Sequence, residues 1–203
     1  MSLIKTKEEK QQVLINRYAS EMGIIKLRVE QIKNASKTIK YLQPMVEYKA
    51  LHLRKIIEQI LLSSLIANSE VYQQYYNRLE REWNARLICR DLERIHPKFF
   101  PVAAIDDHEN QHISENPKDN LTSKEIIVMY EKMGKLLHAH NPFSPFPDYQ
   151  ELSNYIDDCC NKIIRFLSVH TIMMYGEKDF LYVIMEERTS SQVSINWFSQ
   201  CDE

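Results

Sequence analysis

Met45-Val46-Glu47-Tyr48-Lys49-Ala50-Leu51-His52-Leu53-Arg54-Lys55-Ile56-Ile57-Glu58-Gln59-Ile60-Leu61-Leu62-Ser63-Ser64-Leu65-Ile66-Ala67-Asn68 is the stretch whose reading decides the fold. Val46, Leu51, Leu53, Ile56, Ile57, Ile60, Leu61, Leu62, Leu65 and Ile66, wound at helical pitch, cover most of the circumference and not a single stripe. A helix so apolar is stable in water only when neighbours enclose it, so it predicts a bundle with this segment at the centre. Glu58, Gln59, Ser63 and Ser64 interrupt the stretch, and nowhere does the chain run 18 apolar residues unbroken, which argues against a membrane span.

Working outward, Ile15, Tyr18, Met22, Ile25, Val29, Ile32 and, past Ser36, Ile39 step by three and four. They predict a seam along one long N-terminal helix. Pro44 ends that helix or opens the next. A third helix is predicted from Glu70 to Ile95, with Tyr72, Tyr75, Tyr76, Leu79, Trp83 and Leu87 inward, stopping before Pro97 because proline disfavours helix in the residue ahead of it. Residues 101–121 are polar and hold a further proline, and read as a long surface loop. Thr122 and Glu125 then form a capping box with Leu121 and Ile126 as its hydrophobic staple, opening a fourth helix that ends near His140-Asn141-Pro142. The connection Asn141-Pro142-Phe143-Ser144-Pro145-Phe146-Pro147 is set by its prolines. Asp148 caps a fifth helix with Leu152, Tyr155, Ile156, Cys159, Ile163, Phe166 and Leu167 inward. Beyond it the period changes to that of strands: 168–175, a Gly176-Glu177-Lys178-Asp179 turn, 180–185 and 193–198 predict a small antiparallel meander.

The reading is a mainly α fold, a bundle of about five helices with a C-terminal β-meander, in one domain over 1–203: a long helix to 43, a helical core over 44–168 and the meander over 169–198. Only 3 of 203 residues are glycine, which disfavours glycine-hungry nucleotide-binding α/β folds, and neither phosphate-loop, dinucleotide nor serine-hydrolase motifs occur. The opening residues lack the apolar region of a secretory signal, so a cytosolic protein is expected. Cys89, Cys159, Cys160 and Cys201 show no framework spacing and read as reduced thiols. The net charge of −2 divides unevenly: residues 1–100 hold 18 Lys and Arg against 11 Asp and Glu, residues 101–203 hold 8 against 17. A basic helical layer docking on an acidic one explains this more simply than a nucleic-acid footprint.

Four groups of residues could carry chemistry. His108-Glu109-Asn110-Gln111-His112 matches H-E-x-x-H, which on a buried helix binds zinc and activates its water. Here it falls in a polar run without an apolar face, so a solvated loop is expected and no metal or cofactor is assigned. The tyrosine series with Trp83, beside Arg78, Arg81 and Arg86, could stack bases, but at helical spacing it reads as core. Arg90 precedes His96 by six positions at the end of helix three, a pairing of phosphate-binding guanidinium with proton-transferring imidazole; Arg165 and His170 repeat the spacing loosely. Arg90 also belongs to a row, Arg86, Arg90 and Arg94, that suits a solvated face near a helix C-terminus. Finally, Arg54 and Glu58 lie four apart on the apolar helix and need polar partners there, for which His138 and Asn141 are the candidates.

The R-x(4–6)-H string, the Arg54/Glu58 helix and the later Leu137-His138-Ala139-His140-Asn141-Pro142 turn resemble segments of HEPN (higher eukaryotes and prokaryotes nucleotide-binding) domains. The resemblance covers about 45–167 and points to an uncharacterised bacterial branch. It implies one of two functions. The first is an interaction or accessory module of a bacterial multi-protein assembly of the toxin or phage-defence kind, meeting a protein partner or associating with itself through the first helix. The second is a metal-independent endoribonuclease acting on RNA with Arg90 and His96 as catalytic residues. For Arg54, Glu58, His138 and Asn141 two readings stand: a satisfied structural network that fixes helix register, or a binding pocket for a ligand or nucleotide.

Overall fold

A computed structural model of the chain describes residues 6–69, 84–107, 112–141, 143–186 and 192–199. Within them are five helices and five strands: α1 (Lys7–Thr38), α2 (Leu42–Ala67), α3 (Ala85–Ile95), β1 (Val102–Asp107), β2 (His112–Glu115), α4 (Ser123–Leu136), α5 (Tyr149–Ser168), β3 (Val169–Met173), β4 (Asp179–Ile184) and β5 (Ser194–Ser199). The fold is mainly α with a small antiparallel sheet, as the periodicity predicts. No helix among the described residues is long and apolar enough to cross a membrane.

The apolar stretch forms α2, which packs against α1, α3, α4, α5 and β3. Val46, Leu53, Ile56, Ile57, Ile60 and Leu61 are all fully buried, and only Leu51 of the apolar set stands substantially exposed. Pro44 is tolerated because it sits in the first turn, where backbone N–H groups have no acceptor within the helix. A connection of three residues, 39–41, folds α1 back along α2 as an antiparallel hairpin. The seam of α1, Tyr18, Met22, Ile25, Val29 and Ile32, is buried, with Ala35 in the last place and not Ile39. Its partner is therefore α2 of the same chain, and the seam is not free for self-association.

Local signals fix the helix starts. Thr6 and Glu9 satisfy each other's backbone N–H groups at the head of α1. Thr122 and Glu125 do the same for α4, over a staple of Leu121 and Ile126, both buried. The Thr122 N–H and hydroxyl both donate to Glu125, which holds its carboxyl below the ordinary carboxylate range. Asp148 accepts from the N–H groups of Gln150 and Glu151 at the head of α5.

Two expectations need correction. The third helix does not run unbroken to Ile95: Asn84 is extended and caps a new helix, its side chain accepting from the Arg86 N–H. The tyrosine series and Trp83 lie outside the described residues. The span 101–121 is not simply a loop. It contains the β1–β2 hairpin, registered Ala104 to Glu115 and Asp107 to His112, and β1 pairs with β3 at Val102–Thr171 and Ala103–His170. The sheet therefore has five strands in the order β2-β1-β3-β4-β5. The physical reason is β3, which enters the sheet straight from α5 with His170 and Ile172 fully buried. Its second edge lies within the protein, where unpaired backbone groups are costly, and β1 satisfies them. The turn from β3 to β4 places Gly176 at φ 93° and Glu177 at φ 56°, conformations that glycine adopts freely and glutamate rarely.

The sheet is tied to the bundle by a buried polar couple. His170 Nδ1 donates to the Leu167 carbonyl at 2.9 Å, which leaves Nε2 to accept from the Tyr18 hydroxyl, also at 2.9 Å. Both side chains are fully buried. Burial raises the Tyr18 hydroxyl well above its ordinary range and pushes the His170 imidazole down to about 4. Below pH 6.5 the unfolded chain takes up a proton at His170 that the folded chain refuses, so stability falls as pH drops, by about 3 kcal/mol in total at pH 4. Urea unfolding across this range will show the loss in the natural chain. The Tyr18→Phe/His170→Leu double variant, which replaces the couple with apolar groups, will lack that component; parallel profiles for the two proteins would refute it.

Candidate functional site

Arg54 and Glu58 meet at the interface of α2 and α4. Glu58 is 5% exposed; its Oε1 accepts from Arg54 Nε at 3.4 Å and its Oε2 from Lys55 Nζ at 2.8 Å. The Arg54 guanidinium also donates to the Tyr130 hydroxyl at 2.7 Å and lies over that ring, 4.4 Å from its centroid. Gly134 makes room for it, since a Cβ there would stand 2.9 Å from Arg54 Nη1. The polar partners that an ion pair on so apolar a helix requires are thus Lys55 and Tyr130, not His138 and Asn141. His138 is exposed beyond the end of α4. Asn141 shapes the loop that follows: its Oδ1 accepts from the Phe143 N–H and its carbonyl from the Ser144 N–H.

Arg90 and His96 have separate neighbours. Arg90 is exposed on α3 and paired with the adjacent Asp91 at 3.1 Å. Arg86, one turn earlier, pairs with Glu131 at 3.3 Å, also near the surface, so the arginine row forms a solvated face. His96 caps the C-terminus of α3 in an extended conformation. Its ring is 3% exposed, donates from Nε2 to the Met173 carbonyl at 3.2 Å, and sits edge-on to Tyr175. The second pair of this spacing is divided likewise: Arg165 binds Asp119, and His170 faces Tyr18.

Of the H-E-x-x-H string, His108 to Gln111 lie outside the described residues, while His112 belongs to β2 and stands opposite Asp107. A strand does not give the i, i+4 helical placement that the motif's chemistry uses. Among the described residues no group of three or more His, Cys, Asp or Glu side chains is placed to hold a metal ion. Cys89, Cys159 and Cys160 are free and buried. Burial pushes the Cys160 thiol up to about 11 and raises the other two, which suppresses the thiolate that would make them nucleophiles.

Two features escaped the sequence. A groove of about 490 Å³ lies between the sheet and the segments 97–101 and 120–123, among Phe100, Val102, Met173 and Phe180, with Lys98, Glu115, Asn120 and Thr171 among its polar lining. It depends on the β1 strand, whose apolar run Val102 to Ile105 is the signal that could have revealed it. The other is the α4–α5 connection. Phe143 is 95% and Phe146 81% exposed, on a loop held by the two Asn141 bonds, by His140 Nε2 donating to the Ser144 carbonyl at 3.1 Å, and by His140 stacking on Phe146. Phenylalanines set between prolines, with no helical or strand period to place them inside, were the available hint.

No family model matches the chain, no curated protein matches its sequence, and no solved structure matches its fold.

The Arg54 cluster makes a quantitative prediction. Alanine at Gly134 gains about 0.5–1 kcal/mol of helix propensity but forces the guanidinium away from Tyr130. Gly134→Ala is therefore expected to be neutral or destabilising in the natural chain and stabilising by about 0.5–1 kcal/mol once Arg54→Ala has cleared the space. Urea unfolding of the four proteins measures the coupling; strict additivity would mean that the guanidinium is not pinned there.

Proposed function

We propose that the chain is a protein-interaction module that docks on its partner through the loop joining α4 and α5. One observation carries the reading: Phe143 and Phe146 are held almost wholly in solvent on a loop whose shape is fixed by its own hydrogen bonds and prolines. Leaving a phenylalanine in water forgoes about 1.5–3 kcal/mol of burial, which a partner's apolar pocket recovers. Because the loop is already ordered, little conformational freedom is lost on binding. Aromatic anchors of this kind carry a large share of the energy in protein interfaces. In this reading Asn141, a candidate pocket residue by sequence, acts by shaping the anchor loop. Arg54 and Glu58 are structural, since their polar atoms are bonded to Tyr130, Lys55 and each other.

The ribonuclease reading has less support from the geometry, because His96 is buried against Met173 while Arg90 stands in solvent. Two experiments decide between the readings. The tagged chain expressed in its own cells should copurify with a stoichiometric partner that is lost on Phe143→Ser/Phe146→Ser and retained on the surface control Val128→Ser. The double variant should melt within about 2 °C of the natural chain, because it alters only exposed side chains. Incubated with RNA in EDTA, the purified chain should leave the RNA intact. Cleavage that disappears in His96→Ala, or a partner that survives loss of both phenylalanines, would overturn the proposal.

A further inference from the structure

The two edges of the sheet differ in how they are protected. Natural sheets blunt their edges by shortness, charge, proline or bulges, because an open edge offers unpaired N–H and C=O groups to any other strand. At one edge β2 has only four residues, ends on Glu115 and is paired with β1, which carries two aspartates. At the other, β5 is Ser194-Ile195-Asn196-Trp197-Phe198-Ser199, with no charged residue and no proline. Its register with β4 runs through six successive pairs, from Asp179–Ser199 to Ile184–Ser194, with no bulge. Among the described residues no strand pairs with its outer side.

We infer that β5 pairs edge to edge with β5 of a second copy of this chain, joining the two sheets into one about a two-fold axis through Asn196. The side chains that this axis brings opposite each other support this occupant. In an antiparallel pair, residues directly opposite each other lie on the same face. Leu181 and Val183 of β4 are fully buried toward the helices, and their partners Trp197 and Ile195 share that face. Phe180 stacks on Phe198 at 5.3 Å on the other. With the axis at Asn196, Ile195 falls opposite the partner copy's Trp197 on the helix-side face, and Ser194 opposite the partner copy's Phe198 on the outer face. Both pairings join residues of one face, and the first is an aromatic pair with a β-branched residue, which favours strand pairing. Asn196 is exposed and meets its own symmetry mate, where each carboxamide can both donate and accept. An uncharged strand facing its copy places no like charges opposite each other. Closure about a two-fold uses each β5 edge once and leaves none for further growth. This association uses neither the α1 seam nor the Phe143 loop, so it stands or falls independently of the proposed function.

The test is the mass of the purified chain over a concentration series, by size exclusion with light scattering. The natural chain should reach twice its 24.2 kDa monomer mass. Asn196→Lys, which sets two cations against each other on the axis, should raise the dimerisation midpoint by about tenfold or more, with an unchanged circular dichroism spectrum because the position is exposed. In a Cys201→Ser background, Asn196→Cys should form an intermolecular disulfide under mild oxidant, whereas Val128→Cys, exposed on α4, should not. A natural chain that stays monomeric, a dimer indifferent to Asn196→Lys, or equal cross-linking at positions 196 and 128 would each overturn the inference.

Discussion

The enclosure of α2 sets the terms for the rest of the molecule, because this helix carries into the core polar groups that water can no longer serve. It answers the demand in two ways. Ser63, Ser64 and Asn68 donate to carbonyls one turn back, those of Gln59, Ile60 and Ser64, so these donors need no acceptor from a neighbouring helix. Lys49 and Glu58 cannot be served by the helix backbone. Lys49 reaches Ser153 and both carboxylate oxygens of Asp157 on α5, at 2.8–3.0 Å. Glu58 holds Arg54, which reaches Tyr130 on α4. Apolar packing draws α4 and α5 onto α2 without dictating how far each may slide, whereas a buried ion that loses its partner costs several kcal/mol. Lys49 and Arg54 thereby favour the axial positions that α5 and α4 take on α2.

The same rule governs the junction of helix and strand. α5 passes into β3 without a loop, and the backbone at that change of geometry would leave the Leu167 carbonyl unserved were His170 not folded back on it. The second nitrogen of that ring then requires a donor, and Tyr18 on α1 supplies it. A local need at one helix end is thus met by His170, whose ring is in turn served by a residue 152 positions away, and α1 is fixed to the sheet as well as to α2. Once β3 is anchored in this way, its far side requires a strand, which is the constraint that draws the β1–β2 hairpin into the sheet.

These relations mark what could be read in the sequence. The helices with a clear period, the Thr122 and Asp148 caps and the three C-terminal strands were legible, because each rests on residues within a few positions of one another. The β1–β2 hairpin was not: its strands are short, acidic residues follow Ile105, and its stabilising partner β3 lies more than 60 positions on. The break at Asn84 was hidden by apolar residues continuing on either side of it. At the site, the need for partners to Arg54 and Glu58 followed from the sequence, but their identity did not. Tyr130 and Gly134 are selected by where along α2 the fourth helix settles, and a periodic pattern specifies the facing side of a helix more sharply than its axial position.

A spacing motif is subject to the same distinction. Six residues along a regular helix turn a side chain through 600°, about 240° beyond a full turn, so Arg90 and His96 would not share a face even if α3 continued past Ile95. It stops there instead, and the extended backbone at His96 directs the imidazole to the Met173 carbonyl. Joint action on one phosphate requires both groups at the same reacting atom, which would mean breaking that bond and exposing a ring that closes the gap between α3 and the end of β3. The loop after α4 needs no such rearrangement. Asn141 and His140 bond the backbone of Phe143 and Ser144, His140 stacks on one face of Phe146, and both phenylalanine rings stay largely in solvent. The proposed recognition therefore rests on two apolar rings already in water, which need no bond broken before they meet a partner.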